Sequence, residues 1–449
     1  MEVEVETPKS GEAGDTSAGP GVAKGGAQMF AYRVVELGAQ VLMIVITARL
    51  LEPEGRGLYA LAALTAMLCV IPLGAVWLAN AYEIARGTLT PSQVLGSSIL
   101  LSIVGGGATA LVAFAIAPFL GDRWWVVVFP AATTPFLLLG RYGDGLFQSL
   151  GRIHAVGLIT LARVVVPLVF ITVPLLAGAS DRTAIGVWAI SMLVVTAFIY
   201  VPLRRAAGRP SLPDDRAVYG RLVRFGMKLS PATAGQVGAS RAGLVVLAAM
   251  VSASAVGVYS VAVAVGEVLY LTSQALQVSA LRAIGGSARD ASIRLSARAL
   301  RHAVLLALVG GVLVVPAAIV ALPLIVGDGY EDVPLLLALL VPGIIAQAGA
   351  LTLNGYFTVQ AGRPWVVTRA TLVMAVLSLV VSVPAVAVLG VSGAAVGASV
   401  ANIAGAVLIV RTFLKESGLP LTTLRPGITE LADYRELSRS LLRRVRTAP

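Results

Sequence analysis

Long apolar runs, each near the length of a membrane-crossing helix, follow one another from Met29 to Leu414 and are separated by short polar turns. Crossing roughly 30 Å of hydrocarbon as helix takes about 20 residues. The pattern predicts about twelve such helices, at 29–51, 58–82, 94–120, 124–148, 155–177, 183–203, 229–251, 256–281, 302–326, 333–359, 364–389 and 392–414. The runs do not alternate polar and apolar positions as a membrane β-barrel strand does, so the expected class is an all-α polytopic membrane protein.

The charges between the runs test that count. Turns after odd-numbered spans are short and acidic or neutral, with Glu52, Glu54, Asp122, Asp181, Asp328, Glu331 and Asp332. Those after even-numbered spans carry Arg86, Arg152, the cluster from Arg204 to Lys228, the cluster from Arg282 to Arg301, and Arg363. Lys and Arg resist export during insertion, so the even turns and both termini are expected on the cytoplasmic side of a plasma (inner) membrane. One missed span would have scrambled the alternation.

Five regions follow. Residues 1–28 lack the basic start and apolar core of a signal peptide and read as a disordered cytoplasmic tail. A six-helix bundle is expected over 29–203, a Pro-containing cytoplasmic linker over 204–228, a second six-helix bundle over 229–414, and a cytoplasmic tail over 415–449. Within that last tail, Leu431, Tyr434, Leu437, Leu441, Leu442 and Val445 recur at helical spacing among arginines, the pattern of a basic amphipathic helix on the inner leaflet.

Composition agrees: the 449 residues are 57% hydrophobic and 13% charged, against about 25% charged in soluble domains. The net charge of +11 sits in turns and tail, which points to anionic lipid headgroups and away from nucleic acid. Cys69 is alone in an apolar run, so no disulfide framework, metal cluster or cofactor is expected.

The halves echo one another. "ARLLEPEGRGLYALA" at 48–62 and "AAMVSASAVGVYSVA" at 248–262 share Gly-x-Tyr at 57–59 and 257–259. "GLFQSLGR" at 145–152 matches "GYFTVQAGR" at 355–363 with one residue inserted. Both copies begin on the same side, which predicts a parallel repeat about an axis along the membrane normal and a cavity between two bundles. The second copy drops the charges of the first, so Glu52, Glu54 and Arg56 are expected to be turn residues meeting water.

These stretches, the Gly-Arg after spans 4 and 10, and "LGVSGAAVGASVA" at 389–401 resemble the polysaccharide flippases of the multidrug/oligosaccharidyl-lipid/polysaccharide exporter superfamily. The likeness covers almost the whole membrane region and rests on the order and spacing of short Gly/Ala-rich motifs. It implies a MATE-like architecture that alternates between inward-open and outward-open states and moves a polyprenyl-diphosphate-linked oligosaccharide. Polysaccharide-assembly membrane proteins are then expected partners beside the lipid-linked saccharide and anionic lipid.

A charge in hydrocarbon needs a partner, a wet cavity or a route to the interface. Arg33 and Glu36, and Arg141 and Asp144, are spaced to pair along one helix face, and local pairing is the expectation for Arg141 and Asp144. Arg163 and Arg369 are expected to snorkel or to pair across helices, and Arg49 to anchor at the outer interface. The resemblance places spans 1, 2, 7 and 8 along the cavity. Arg33, Arg241 and Arg282 are accordingly the candidate diphosphate contacts, because a guanidinium offers a planar fork to phosphate oxygens and stays charged. Glu267 and Glu36 are the ion-coupling candidates, with a Glu267–Arg241 pair as the alternative for Glu267. Gln274, Gln277, Asn354 and Gln360 could bind sugar or bridge helices.

No Walker sequence, His/Cys cluster or nucleophile elbow is present, and the external loops are too short to hold a glycosyl acceptor. An enzyme is therefore not expected. Two alternatives to the flippase are a cation-coupled small-molecule exporter of the same superfamily and a non-transporting membrane scaffold.

Overall fold

The computed structural model describes residues 20–271, 273–277, 284 and 287–427, and among these the side chains of all but 20–31, 33, 34, 85 and 153. The N-terminal residues 1–19 and the amphipathic stretch at 430–446 lie outside the described residues.

The first two spans form a single long element, α1 (Pro20–Gly74), broken at Glu52 (φ 56°, ψ 177°). Pro53 explains the break: it has no N–H to continue the ladder, and its ring excludes the preceding residue from helical geometry. α1 starts earlier than the expected membrane entry at 29, so residues 20–28 of the anticipated tail are helical. Pro20 suits the first helical position, and Val22, Ala23, Lys24 and Gln28 propagate a helix already nucleated in the membrane.

The second span ends in α2 (Val76–Ala85), and α3 (Pro91–Ile116) starts from a capping box in which Thr90 accepts from the Gln93 N–H and the Gln93 side chain accepts from the Thr90 N–H. The fourth span is a bent pair, α4 (Trp125–Ala132) and α5 (Thr134–Ser149), with a 40° angle beside Pro130 and Pro135. α6 (Ile153–Leu176) and α7 (Asp181–Ala207) complete the first half. The second half comprises α8 (Ala217–Met250), α9 (Ala253–Glu267), α10 (Arg289–Ile325), α11 (Val333–Gly355), α12 (Pro364–Leu389) and α13 (Val391–Ser417). Among the described residues, eight helices are long and apolar enough to cross a membrane, and the bent pair makes a ninth. The division of α1 at Glu52, together with α8 and the 15-residue α9, supplies the remaining expected segments. The protein is an all-α polytopic membrane protein of two six-helix bundles.

The linker is shorter and better held than its composition suggests. α7 runs through Arg204 and Arg205, whose charges complement the carboxyl end of the helix, to Gly208 at φ 87°. α8 begins at Ala217, where Asp215 accepts the Ala217 N–H (2.8 Å) and pairs with Arg221 (3.1 Å); both contacts hold its carboxyl below the usual carboxylate range. Between them, Ser92 donates to the Arg209 carbonyl (2.6 Å) and the Ser211 N–H donates to the Ser92 carbonyl (3.2 Å). Val218 and Leu222 join the core of the first bundle beside Leu138, Tyr142 and Phe147. The start of the C-terminal tail is held as well: Glu416 pairs with Arg363, Arg301 donates to the Thr423 carbonyl, and Leu424 is buried.

Both sequence echoes have structural counterparts. At the two matching corners Gly151 (φ 68°) and Gly362 (φ 61°) precede Arg152 and Arg363, which share a ψ near 60°, while Phe147 and Phe357 are fully buried. The residue inserted in the second copy is taken up by a π turn over Tyr356–Gln360.

Candidate functional site

Spans 1 and 8 were expected beside the cavity, and polar positions on both helices face one. A chamber of about 720 Å³ lies between the halves and contains Glu36 and Gln40 of α1, Gln236 and Ser240 of α8, and Glu267 at the end of α9. Gln274 and Gln277 beyond α9, Gln347 of α11 and Asn402 of α13 continue its wall. Apolar helices thus place several side-chain amides around one space, as a ligand rich in hydroxyl groups would need.

A second chamber of about 300 Å³ adjoins it on the side of the first bundle, sharing Gln40, Ile44, Ala264 and Glu267. Its chemistry differs. Arg56 and Tyr59 of α1, Arg163 of α6, Trp188 of α7 and Arg241 of α8 line it. Arg241 reaches Glu267 across the α8–α9 hairpin, Nη2 to Oε1 at 2.9 Å, so the alternative raised for that carboxylate is the arrangement observed.

Arg163 pairs with Asp144 of α5 (2.5 Å). The expected local pair of Arg141 with Asp144 is therefore not the one formed. Gly140, one helical turn below Asp144, leaves space that the Arg163 guanidinium occupies: a Cβ there would lie 3.1 Å from Nη2. Arg141 is exposed instead.

Arg56 is the larger correction. Expected in water, it is only 7% exposed, with its guanidinium 5.5 Å from the Tyr59 ring centroid and its Nε without a hydrogen-bond partner among the described residues. The break at Glu52 turns the chain back so soon that Arg56, one turn into the second helix, faces inward onto the chamber. Glu54 does stay at the surface, paired with Arg123. Three guanidiniums thus line the small chamber, while the only carboxylates paired with them among the described residues are Asp144 and Glu267.

Of the other expected site residues, Glu36 lines the larger chamber and accepts from Gln40 (3.3 Å). The Arg33 side chain and Arg282 lie outside the described residues. Gln274 and Gln277 line the chamber, but Asn354 and Gln360 belong to the corner before Arg363 and are not part of either wall. Gln40, Gln236, Gln347 and Asn402 were not singled out from sequence. The available signal was the i, i+4 spacing of Glu36 with Gln40 and of Gln236 with Ser240, a wet stripe on an otherwise apolar helix.

One end of the small chamber lies beside the break in α1, at Arg56 and Tyr59. There the second part of α1 crosses the first turns of α9, and Tyr330 from the turn before α11 donates to the Ala48 carbonyl (3.1 Å) in a buried setting. At the opposite end, α8 is tied to α1 by Ser230, which donates to the Ile71 and Pro72 carbonyls, and to α2 by Tyr82 stacked on Phe225.

No family profile and no curated relative matches the chain by sequence. Solved structures do match. An inward-facing multidrug resistance MATE family transporter of the MOP superfamily overlays with a TM-score of 0.65 at 16% identity, over 87% of this chain and 98% of that one. The lipid II flippase MurJ in an inward closed conformation overlays with a TM-score of 0.72 at 11% identity, over 92% and 93%. The chain has the MOP-superfamily fold. That is the architecture which the Gly/Ala-rich motifs implied. An outward-facing MATE transporter gives a TM-score of 0.51 at 16% identity, over 88% and 96%.

Proposed function

We propose that this chain is a transporter which moves a polyprenyl-diphosphate-linked oligosaccharide or polysaccharide precursor across the plasma membrane by alternating access, with both termini in the cytoplasm. The observation that carries the reading is Arg56, a buried guanidinium that no carboxylate neutralises among the described residues, in a chamber it shares with Arg163 and Arg241. Burying an ion without a counter-ion costs several kcal/mol, so a site that keeps one is shaped for an anion that comes and goes. A diphosphate fits that demand: its oxygens accept the paired donors of guanidinium forks. The amides of the adjoining chamber supply donors and acceptors for sugar hydroxyls, and lipid headgroups meet the exposed cytoplasmic arginines.

On this reading Arg241 holds the diphosphate jointly with Arg56, and Glu267, which lines both chambers, is the group through which an ion couples to transport. Glu36 is the second coupling group. Arg33 and Arg282 are kept as diphosphate contacts from their sequence position alone.

The test uses liposomes carrying the protein and a labelled polyprenyl-diphosphate oligosaccharide, and follows access of the label to an external probe. Crossing that depends on the protein and falls at least about tenfold in Arg56→Gln and further in Arg241→Ala supports the proposal. Crossing that survives both substitutions removes the diphosphate role from these arginines. No crossing, with uptake of an organic cation instead, favours the cation-coupled exporter, whose compact pocket would use Glu36, Glu267 and the Trp188 ring.

A further inference from the structure

Beside the break in α1 the two halves touch in a way the repeat makes reciprocal. A Cβ added to Gly57 would overlap the Ala253 carbonyl oxygen and lie 3.0 Å from the Gly257 nitrogen. One added to Gly257 would overlap the Pro53 carbonyl oxygen and lie 3.1 Å from the Gly57 nitrogen. In each helix the glycine follows by four residues the carbonyl that its counterpart covers, and all four positions are related by the same offset as the Gly-x-Tyr echo. The second part of α1 and the start of α9 therefore cross backbone on backbone, with the axis of the repeat passing between them.

We propose that this crossing is the outer gate, a seal with main chain against main chain at its centre, that forms in the inward arrangement and parts for release to the outside. The proposal rests on the alternating-access reading. Around the two glycines, Leu58 and Tyr59 share one buried cluster with Ala253, and Ala60 and Leu64 share another with Val256 and Val258, so main chain closes the centre of the crossing and packed side chains its margin, leaving no passage while it is closed. The neighbours support the role. Gly329 lies against Pro53, since a Cβ there would be 2.9 Å from Pro53 Cγ, and the Tyr330 hydroxyl caps Ala48. The turn before α11 thus lies on the outer side of the crossing as a cover. Below it, Arg56 is held at this end of the arginine chamber, one residue from Gly57, so parting the crossing would bring the anion site to the outside.

A methyl group at either glycine cannot fit the closed form and should leave the outward form populated. Ala63, which lines the small chamber, supplies the reporter: Ala63→Cys in a Cys69→Ser background, treated with a membrane-impermeant thiol reagent from outside in right-side-out vesicles. We expect Gly57→Ala and Gly257→Ala each to raise labelling at least about tenfold, and the double variant to add little, because both methyls break one crossing. Gly107→Ala on α3, where a Cβ meets nothing within 4 Å, should leave labelling unchanged.

Tyr330→Phe gives a variant without a steric clash; it removes only the hydroxyl on Ala48 and should raise labelling by a smaller factor. Unchanged labelling in the glycine variants, with the monodisperse elution of the parent protein, overturns the gate. If those variants do not fold, unchanged labelling in Tyr330→Phe overturns it. Labelling that rises while no lipid-linked saccharide crosses in the parent protein removes the proposed cargo and leaves the gate standing. Saccharide crossing with labelling flat in every variant does the reverse.

Discussion

The two chambers meet at Glu267 and differ in almost everything else. The larger one is walled by amides drawn mostly from the second half, and the smaller one by arginines and aromatic rings drawn mostly from the first. An amide donates and accepts with no net charge, so a wall of amides can hold many hydroxyl patterns at modest cost per contact. A guanidinium in a dry recess demands an anion and gives strong orientation in return. The difference suits a cargo whose sugars vary and whose linkage does not: on the proposed reading the arginine chamber would grip the invariant charge, and the amide chamber would accommodate the variable part.

The largest effect should come from the residue on the boundary. Arg241→Ala removes a chamber guanidinium and strands Glu267, so saccharide crossing should fall about 100-fold, equivalent to some 3 kcal/mol, in the liposome assay. Thermal unfolding in detergent should show about 1–3 kcal/mol of lost stability, less than for a fully buried pair because Glu267 is 39% exposed. Next comes Arg56→Gln. Crossing should fall about tenfold, and stability should stay level or rise, because the variant no longer buries an uncompensated charge. A drop in both would show that Arg56 is a structural residue and blur the contrast between the chambers.

Asp144→Asn tests whether the arginine wall depends on support from behind. It leaves Arg163 without its counter-charge and should destabilise the first bundle by about 1–3 kcal/mol in the same unfolding measurement, while strengthening anion binding through the freed guanidinium. The smallest effect is expected in the amide chamber. Gln347→Leu should weaken apparent affinity by about fivefold, the worth of roughly one hydrogen bond, with the maximal rate unchanged. It should do so for the glycosylated lipid and leave bare polyprenyl diphosphate unaffected. Equal losses for both cargoes would dissolve the distinction between the chambers.

Much of this arrangement was legible in the sequence, for identifiable reasons. Span length and the alternation of charged turns are one-dimensional consequences of the bilayer, so the helices and their order could be counted. Gly57 and Gly257 could be aligned because a repeat is visible along the chain, although the contact between them could not. The Arg241–Glu267 pair was within reach because a single hairpin brings the two together. Arg56 was misplaced because its burial is produced by segments distant in sequence, the start of α9 and the turn at Tyr330, and nothing local to 52–56 announces them. The Arg163–Asp144 pair depended on the absence of a side chain at Gly140, which matters only once α6 lies against α5. The linker at 204–228 seemed loose because its prolines and charges are those of a loop; its order comes from Ser92 and Gly96 on a helix more than 100 residues earlier.

The π turn at Tyr356–Gln360 bears on how the two halves keep step. One residue added to an α-helix turns everything after it by about 100°, which would present the wrong face of α12 to α8 and α13. Widening a single turn absorbs the addition before the Gly362–Arg363 corner, so the following helix sets out from the same corner geometry as α6 does after Gly151–Arg152. Rotational phase in this protein is reset at each corner and is not carried along the helix. Changes in length just ahead of a corner are therefore silent for the cavity, whereas the same change in mid-helix would rotate the polar wall into lipid.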